Sequence, residues 1–275
     1  HMLWMMDEYE ALMGGRYPGV ITGKPVGMGG SLGRTEATGF GVIYTLKGLL
    51  EFLNIPFAST TASIQGFGNV AEYAARMYTE LGGKVIAVSC WDQGDATSYT
   101  FRKKDGCDIG QLAAIKNSFG SIDKNKAKDL GYEVLPGIEW LRQDVDILIP
   151  AALENQIMPD ICAEISPRVK IICEAANGPT TPDCDPILND RGIIVLPDFL
   201  CNAGGVTCSY FEQVQCNMNY FWSKEEVLSK LEYTMSNAFA AVNEMAQKKK
   251  LCLRDAAYVI AINRVANAVK LRGWV

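Results

Sequence analysis

One junction in this chain limits its fold more than any other. The short run Thr61-Ala62-Ser63-Ile64-Gln65 reads as a buried strand and passes without interruption into Gly66-Phe67-Gly68-Asn69-Val70-Ala71. Beyond it, Ala74, Ala75, Met77, Tyr78 and Leu81 follow helical spacing. Strand, tight turn and helix carrying G-x-G-x-x-A is the arrangement by which an α/β sheet grips a dinucleotide. The first glycine permits the sharp turn, the second lets backbone approach a diphosphate, and the small third residue lets helix pack on strand. Free N–H groups at the helix start, aided by its dipole, favour the phosphates. A glycine-rich strand-to-helix turn that binds nothing is the competing reading.

The surrounding pattern supports a parallel sheet. From about residue 60 to 197, short β-branched runs at 61–65, 84–89, 145–149, 170–173 and 193–196 alternate with helical segments at 69–81 and 157–165, with a less regular stretch at 92–135. Upstream, residues 2–13 have helical spacing and stop at Gly14-Gly15. A glycine-rich passage, 14–33, follows and can be read as a flexible linker. Val42, Leu46, Leu49, Leu50 and Leu53 then mark a long amphipathic helix from Thr35 to Asn54. Past Gly205 only helical patterns remain, at 224–249 and 254–271. The expected fold is α/β, a Rossmann-like, doubly wound and mostly parallel sheet with flanking N- and C-terminal helices. Its divisions are 1–34 (helix and glycine-rich hinge), 35–200 (dinucleotide-binding domain) and 201–275 (C-terminal helical hinge segment).

Charge and composition narrow the ligand. A second strand ending near Ser89 should present an acidic residue to the adenosine ribose. Here that place holds Cys90, and Asp92 is the nearest carboxylate. With Asp95 also close and no cation before Arg102, a 2'-phosphate would meet negative potential, which favours NAD over NADP. Asp92 as a mere turn-former is the alternative. The net charge of -5 and the brevity of the basic clusters argue against nucleic acid. No apolar run reaches the roughly 20 residues that cross a bilayer, and a cytoplasmic protein is expected. The only histidine is His1, which removes histidine chemistry and histidine-bound metal. Nine cysteines without a C-x-x-C pair read as reduced, apolar packing residues.

Further motifs accumulate around the fingerprint: Thr22-Gly23-Lys24-Pro25, Gly30-Ser31-Leu32-Gly33-Arg34-Thr35-Glu36-Ala37-Thr38-Gly39-Phe40-Gly41, Pro150-Ala151-Ala152-Leu153-Glu154, Glu174-Ala175-Ala176-Asn177-Gly178-Pro179-Thr180, Asn202-Ala203-Gly204-Gly205-Val206 and Lys270-Leu271-Arg272-Gly273-Trp274. In this order, across essentially the whole chain, the set resembles the glutamate, leucine, phenylalanine and valine dehydrogenase family. The resemblance implies that Arg34 and Thr38 line the cofactor cleft, with Thr38 toward the nicotinamide carboxamide. It also implies that Asn69, Ala151 and Ala152 sit at strand ends beside the cofactor, and that Asn177 and Asn202 hold the nicotinamide ribose and carboxamide. Helix-start or turn-forming roles for Thr38 and the asparagines remain open. Gly39 and Gly41, costly in a helix at roughly 1 kcal/mol each, are expected to admit the cofactor. Val206 and Ser209 reach toward the substrate, and a serine there implies L-glutamate and 2-oxoglutarate.

The family keeps its catalytic lysine and aspartate in a preceding domain, and no segment here resembles that domain. No catalytic residue is therefore assigned, and neither Lys24 nor Asp198 is given that role. His1-Met2 looks like the residue of a cloning site, so the expectation is an excised cofactor domain that binds NAD but is inactive alone. The parent enzyme would be a homo-hexamer and the fragment a monomer or dimer. Alternatives are the cofactor domain of a leucine, phenylalanine or valine dehydrogenase, or a non-catalytic NAD-binding module.

Overall fold

The apolar runs near 61–65 and 147–150 are short and unbroken because both faces of those strands are covered, as in a parallel sheet between two helical layers. The computed structural model describes residues 1–274. In chain order the elements are α1 (Met2–Met13), α2 (Ala37–Phe52), β1 (Thr61–Gln65), α3 (Asn69–Glu80), β2 (Lys84–Asp92), β3 (Thr97–Arg102), α4 (Ile109–Ala114), α5 (Lys124–Asp129) and β4 (Glu133–Pro136). They continue with β5 (Ile147–Pro150), α6 (Pro159–Cys162), β6 (Ile171–Cys173), α7 (Cys184–Asp190), β7 (Ile194–Leu196), α8 (Asp198–Cys201), α9 (Gly204–Met218), α10 (Lys224–Lys249) and α11 (Leu253–Leu271). The strands form one sheet in the order β4-β3-β2-β1-β5-β6-β7. β1 pairs in parallel with both β2 and β5, and β5, β6 and β7 continue the parallel set. Strand order therefore reverses direction between β1 and β5, which opens a crevice at their carboxyl ends.

Alternate side chains of one strand feed two separate cores. Ile147 and Ile149 of β5, with Ile171 and Cys173 of β6, join the cluster under α2, α3 and α10. Leu148 and Ile172, one residue out of phase, join Trp140, Cys162 and Leu188 on the opposite face. Eight of the nine cysteines are buried. The long α10 starts with a reciprocal cap, in which Ser223 accepts from the Glu226 N–H and Glu226 accepts from the Ser223 N–H. It ends on Lys248 and Lys249, which suit the negative pole of a helix. No helix among the described residues is long and apolar enough to cross a membrane.

Three expectations change. Residues 92–135 hold two further strands, β3 and β4, both antiparallel, and β2 runs to Asp92 because it forms a hairpin with β3. The helix expected at 157–165 shrinks to Pro159–Cys162, since Ile157 is extended and bridges Thr180. Gly39 and Gly41 serve helix packing rather than the cofactor: a Cβ at Gly39 would lie 2.7 Å from the Val70 carbonyl oxygen of α3, and one at Gly41 would lie 2.8 Å from Gly204 Cα of α9.

Backbone meets backbone at the α2–α9 crossing, so no side-chain rotation can relieve an added methyl. Gly204→Ala, whose Cβ would strike the Ala37 carbonyl, should lower the unfolding free energy by about 1–3 kcal/mol in urea denaturation; an unchanged midpoint would contradict this packing. A second expectation concerns Asp146, which accepts from the Thr61 N–H at 2.8 Å, the Thr61 hydroxyl at 2.7 Å and Arg168 Nε at 3.0 Å. Burial pushes its carboxyl upward, but Arg168 and Thr61 outweigh burial and hold it below the usual range. A depressed folded pKa means that this stabilisation is complete above the unfolded value and is lost as pH falls through the folded one. Asp146→Ala should thus cost about 1–3 kcal/mol at pH 7, and the gap to the parent should close below about pH 4; a pH-independent gap would refute the assignment.

Candidate functional site

The turn after β1 is a backbone construction. Gly66 has φ +93°, a left-handed conformation that disfavours side chains, and a Cβ there would lie 3.0 Å from the Ala151 carbonyl oxygen. Ala151 N–H in turn donates to the Gln65 carbonyl at 2.9 Å, so the turns after β1 and β5 sit directly against each other. Gly68 is extended and exposed, and a Cβ on it would meet no heavy atom within 4 Å. As N-cap of α3 it has no side chain to bond the helix start, so the N–H groups of the first turn stay open to a ligand. Asn69 is exposed and donates from Nδ2 to the Thr35 carbonyl at 3.1 Å, fixing α3 against the start of α2. Phe67 points the other way, into the core at 2% exposure.

Two cavities meet over these turns. One, of about 530 Å³, has Arg34, Thr38 and Val70 on one wall, with Ala151, Ala152, Asn177 and Asn202 opposite. Gly205, Val206 and Ser209, from the first turns of α9, complete it. The other, of about 370 Å³, is lined by Gln65, Gly66, Ser89, Cys90, Trp91 and Ser98. Ala152 and Leu153 belong to both, so the two form one elongated cleft along the carboxyl ends of β1, β2 and β5. The structure thus gathers Arg34, Thr38, Gly66, Val70, Ala151, Ala152, Asn177, Asn202, Val206 and Ser209 around one cleft, whereas Gly68 and Asn69 line neither cavity and sit in the exposed turn that joins Gly66 of one to Val70 of the other.

Asp92 is not brought there. It closes the β2–β3 hairpin, with Oδ1 accepting from the N–H groups of Gly94 at 2.8 Å and Asp95 at 3.0 Å, and it pairs with Lys124 at 3.1 Å. The Asp95 amide and the Lys124 ammonium hold its carboxyl below the usual range. Asp95 pairs with the same lysine, so the negative potential that the sequence suggested against a 2'-phosphate is offset by a cation. Cys90 does line the cleft, as a neutral thiol that burial pushes up to about 11.

Sequence reasoning missed Gln65, Ser89, Trp91 and Ser98. Gln65 donates from Nε2 to Gln156 Oε1 at 2.6 Å, while its own Oε1 is buried without a partner, a state that invites a donor from a ligand. Its position directly before the first fingerprint glycine was the available signal. Ser98 lies on β3, whose presence the pattern did not reveal.

The remaining polar groups hold loops. Asn202 Nδ2 donates to Asn177 Oδ1 at 2.7 Å, and Asp198 Oδ2 accepts from the Gly178 N–H at 2.8 Å. Arg34 Nε donates to Ser209 Oγ at 3.0 Å. The glycine-rich passage is no loose linker. Glu212 of α9, fully buried, accepts from the N–H of Gly23 at 2.9 Å and of Lys24 at 3.2 Å, and it pairs with the Lys24 ammonium at 2.8 Å.

Comparison with known proteins agrees with this geometry. The family model described as Glutamate/Leucine/Phenylalanine/Valine dehydrogenase matches residues 29–273. An NAD-specific glutamate dehydrogenase of Clostridioides difficile is 45% identical over 99% of this chain and 63% of its own length. The crystal structure of a glutamate dehydrogenase from Peptoniphilus asaccharolyticus superposes with a TM-score of 0.85 at 38% identity, covering 100% of this chain and 62% of that one. A hetero-hexameric glutamate dehydrogenase from Thermus thermophilus, solved with leucine bound, gives a TM-score of 0.86 at 30% identity over 98% of this chain and 61% of that one. The chain thus spans a little under two thirds of the length of the relatives it matches.

Proposed function

The chain belongs to the glutamate, leucine, phenylalanine and valine dehydrogenase family, and from that premise we propose that it is the NAD-holding part of an NAD-dependent glutamate dehydrogenase. The observation that carries this reading is the single cleft over the β1/β5 switch point, with the uncapped start of α3 open between its two ends. The diphosphate rests on the amides after Gly68, as helix N-termini favour. The adenosine half takes the end lined by Gln65, Ser89 and Trp91, where the unpartnered Gln65 Oε1 accepts a donor. The nicotinamide half takes the end with Thr38, Asn177 and Asn202. NAD rather than NADP rests on the NAD-specific relatives, since Lys124 neutralises the carboxylates near β2.

When bound, NAD supplies the hydride acceptor for the reversible oxidative deamination of L-glutamate to 2-oxoglutarate and ammonium. This chain's residues bind, orient and exclude water. Ser209, held by Arg34, offers a hydroxyl to a polar substrate side chain, and Val206, 69% exposed, walls the same end. No lysine lines that end among the described residues, and Lys24 is sealed in its pair with Glu212. The 275 residues therefore bind cofactor without turning over glutamate. We take 35–200 as the dinucleotide-binding unit, because every strand lies within it, and 1–34 and 201–275 as its hinge-bearing flanks. The parent enzyme is a hexamer, as in the Thermus relative, and nine free cysteines, eight of them buried, suit a reducing cytoplasm.

Calorimetric titration tests the cofactor site. The parent chain is expected to bind NAD; Gly68→Val, whose side chain enters open space in an extended backbone, should melt at an unchanged temperature yet bind at least tenfold more weakly. Equal affinity would remove the diphosphate from this turn. A separate assay of NADH absorbance with glutamate and NAD should show no rate above background, and measurable turnover would contradict the division of labour proposed above.

A further inference from the structure

One fully buried charge beside the cleft has no part in the contacts described so far. Glu174, at the end of β6, is fully buried and faces Arg254, in the first turn of α11, which donates to it twice: Nη2 to Oε1 at 2.8 Å and Nη1 to Oε2 at 3.0 Å. Arg254 also donates from Nε to Asp185 Oδ2 at 2.8 Å and lies 3.7 Å from Asp198 Oδ1. Burial disfavours its charge, but the bonds to Glu174 and Asp185 outweigh burial and raise its pKa, so the guanidinium stays protonated. A buried ion pair is costly to desolvate and is weak evidence for stability by itself, which leaves room for a role in fixing one arrangement.

That arrangement ends at the cofactor cleft. Glu174 Oε2 also accepts from the Asp198 N–H at 2.9 Å. Asp198 Oδ2 accepts from the Gly178 N–H at 2.8 Å, and its carbonyl accepts from the Asn202 N–H at 2.8 Å. Asn202 Nδ2 closes the circuit on Asn177 Oδ1 at 2.7 Å. Asn177 and Asn202 lie on different loops, one after β6 and one after α8, and each loop is short of regular structure of its own. Their mutual placement is set by groups bonded to the Glu174–Arg254 pair.

We infer that Arg254 is a positioning residue, which through Glu174 and Asp198 sets Asn177 and Asn202 for the nicotinamide half of the cofactor while leaving the adenosine diphosphate half untouched. The inference rests on the cofactor reading above. It assigns the first turn of the C-terminal helix a part in cofactor geometry although Arg254 is not among the residues lining either cavity. The planar fork is essential, because a lysine ammonium cannot make the parallel bonds to Glu174.

The test compares NAD with ADP, which carries the adenosine diphosphate but neither the nicotinamide nor its ribose, by calorimetry on the full chain. Arg254→Lys keeps the charge and should weaken NAD about five- to tenfold while ADP affinity stays within twofold; ADP binding doubles as the fold control. Glu174→Gln should reproduce the selective loss, because it weakens the same fork. Loss of both ligands by the same factor, or of neither, overturns the inference while the cofactor site stands. A parent chain that binds neither ligand overturns both.

Discussion

The contact between two loops decides where everything else can be. β1 and β5 lie side by side at the point where the sheet reverses its winding, and the Gly66 turn, in a left-handed conformation that disfavours side chains, rests closely on the Ala151 carbonyl. Because the two turns touch, the chain leaving β1 must rise directly into α3 with an uncapped first turn. The loop leaving β5 becomes the shared wall of two cavities. The close approach of α2 to α3 and α9, possible only with Gly39, Gly41 and Gly204 at the crossings, then brings Arg34 and Thr38 to face Asn177 and Asn202 across the gap.

Buried charge secures what apolar packing leaves free. Loops lack a repeating hydrogen-bond ladder, so their polar groups need designated partners. Glu212 serves the glycine-rich passage by accepting two backbone N–H bonds and pairing with Lys24. Glu174, just past β6, accepts the N–H of Asp198 at the start of α8, with Arg254 as counter-ion. In both cases a buried carboxylate accepts backbone N–H from a segment distant in sequence. The rigidity of the cleft thus derives from a few ionic knots as much as from the sheet.

Much of this was legible in the sequence where a local rule decides the outcome. The fingerprint located β1 and α3 because its glycines are demanded by backbone geometry, and residues 2–13 and 224–249 matched α1 and α10 because capping and period agree. The antiparallel strands β3 and β4 escaped detection since they are short, half polar and lie at one edge, where burial imposes little pattern. Asp92 misled for a related reason. With β3 unseen, its place at the tip of a hairpin was invisible, and a carboxylate near the end of β2 looked available to a ribose. The partners of Lys24 and Glu174 lie 188 and 80 residues away, and no local rule connects them.

The central claim is that amides opening α3 receive a dinucleotide's diphosphate. Backbone amide shifts in a TROSY titration with NADH address it residue by residue. Saturable shifts greatest at Gly68, Asn69 and Val70, accompanied by Asn177 and Asn202, are the outcome this account requires. If those amides stay still while shifts gather elsewhere, as in the groove between α2 and α10 beside Lys47 and Glu244, the cleft is not the cofactor site.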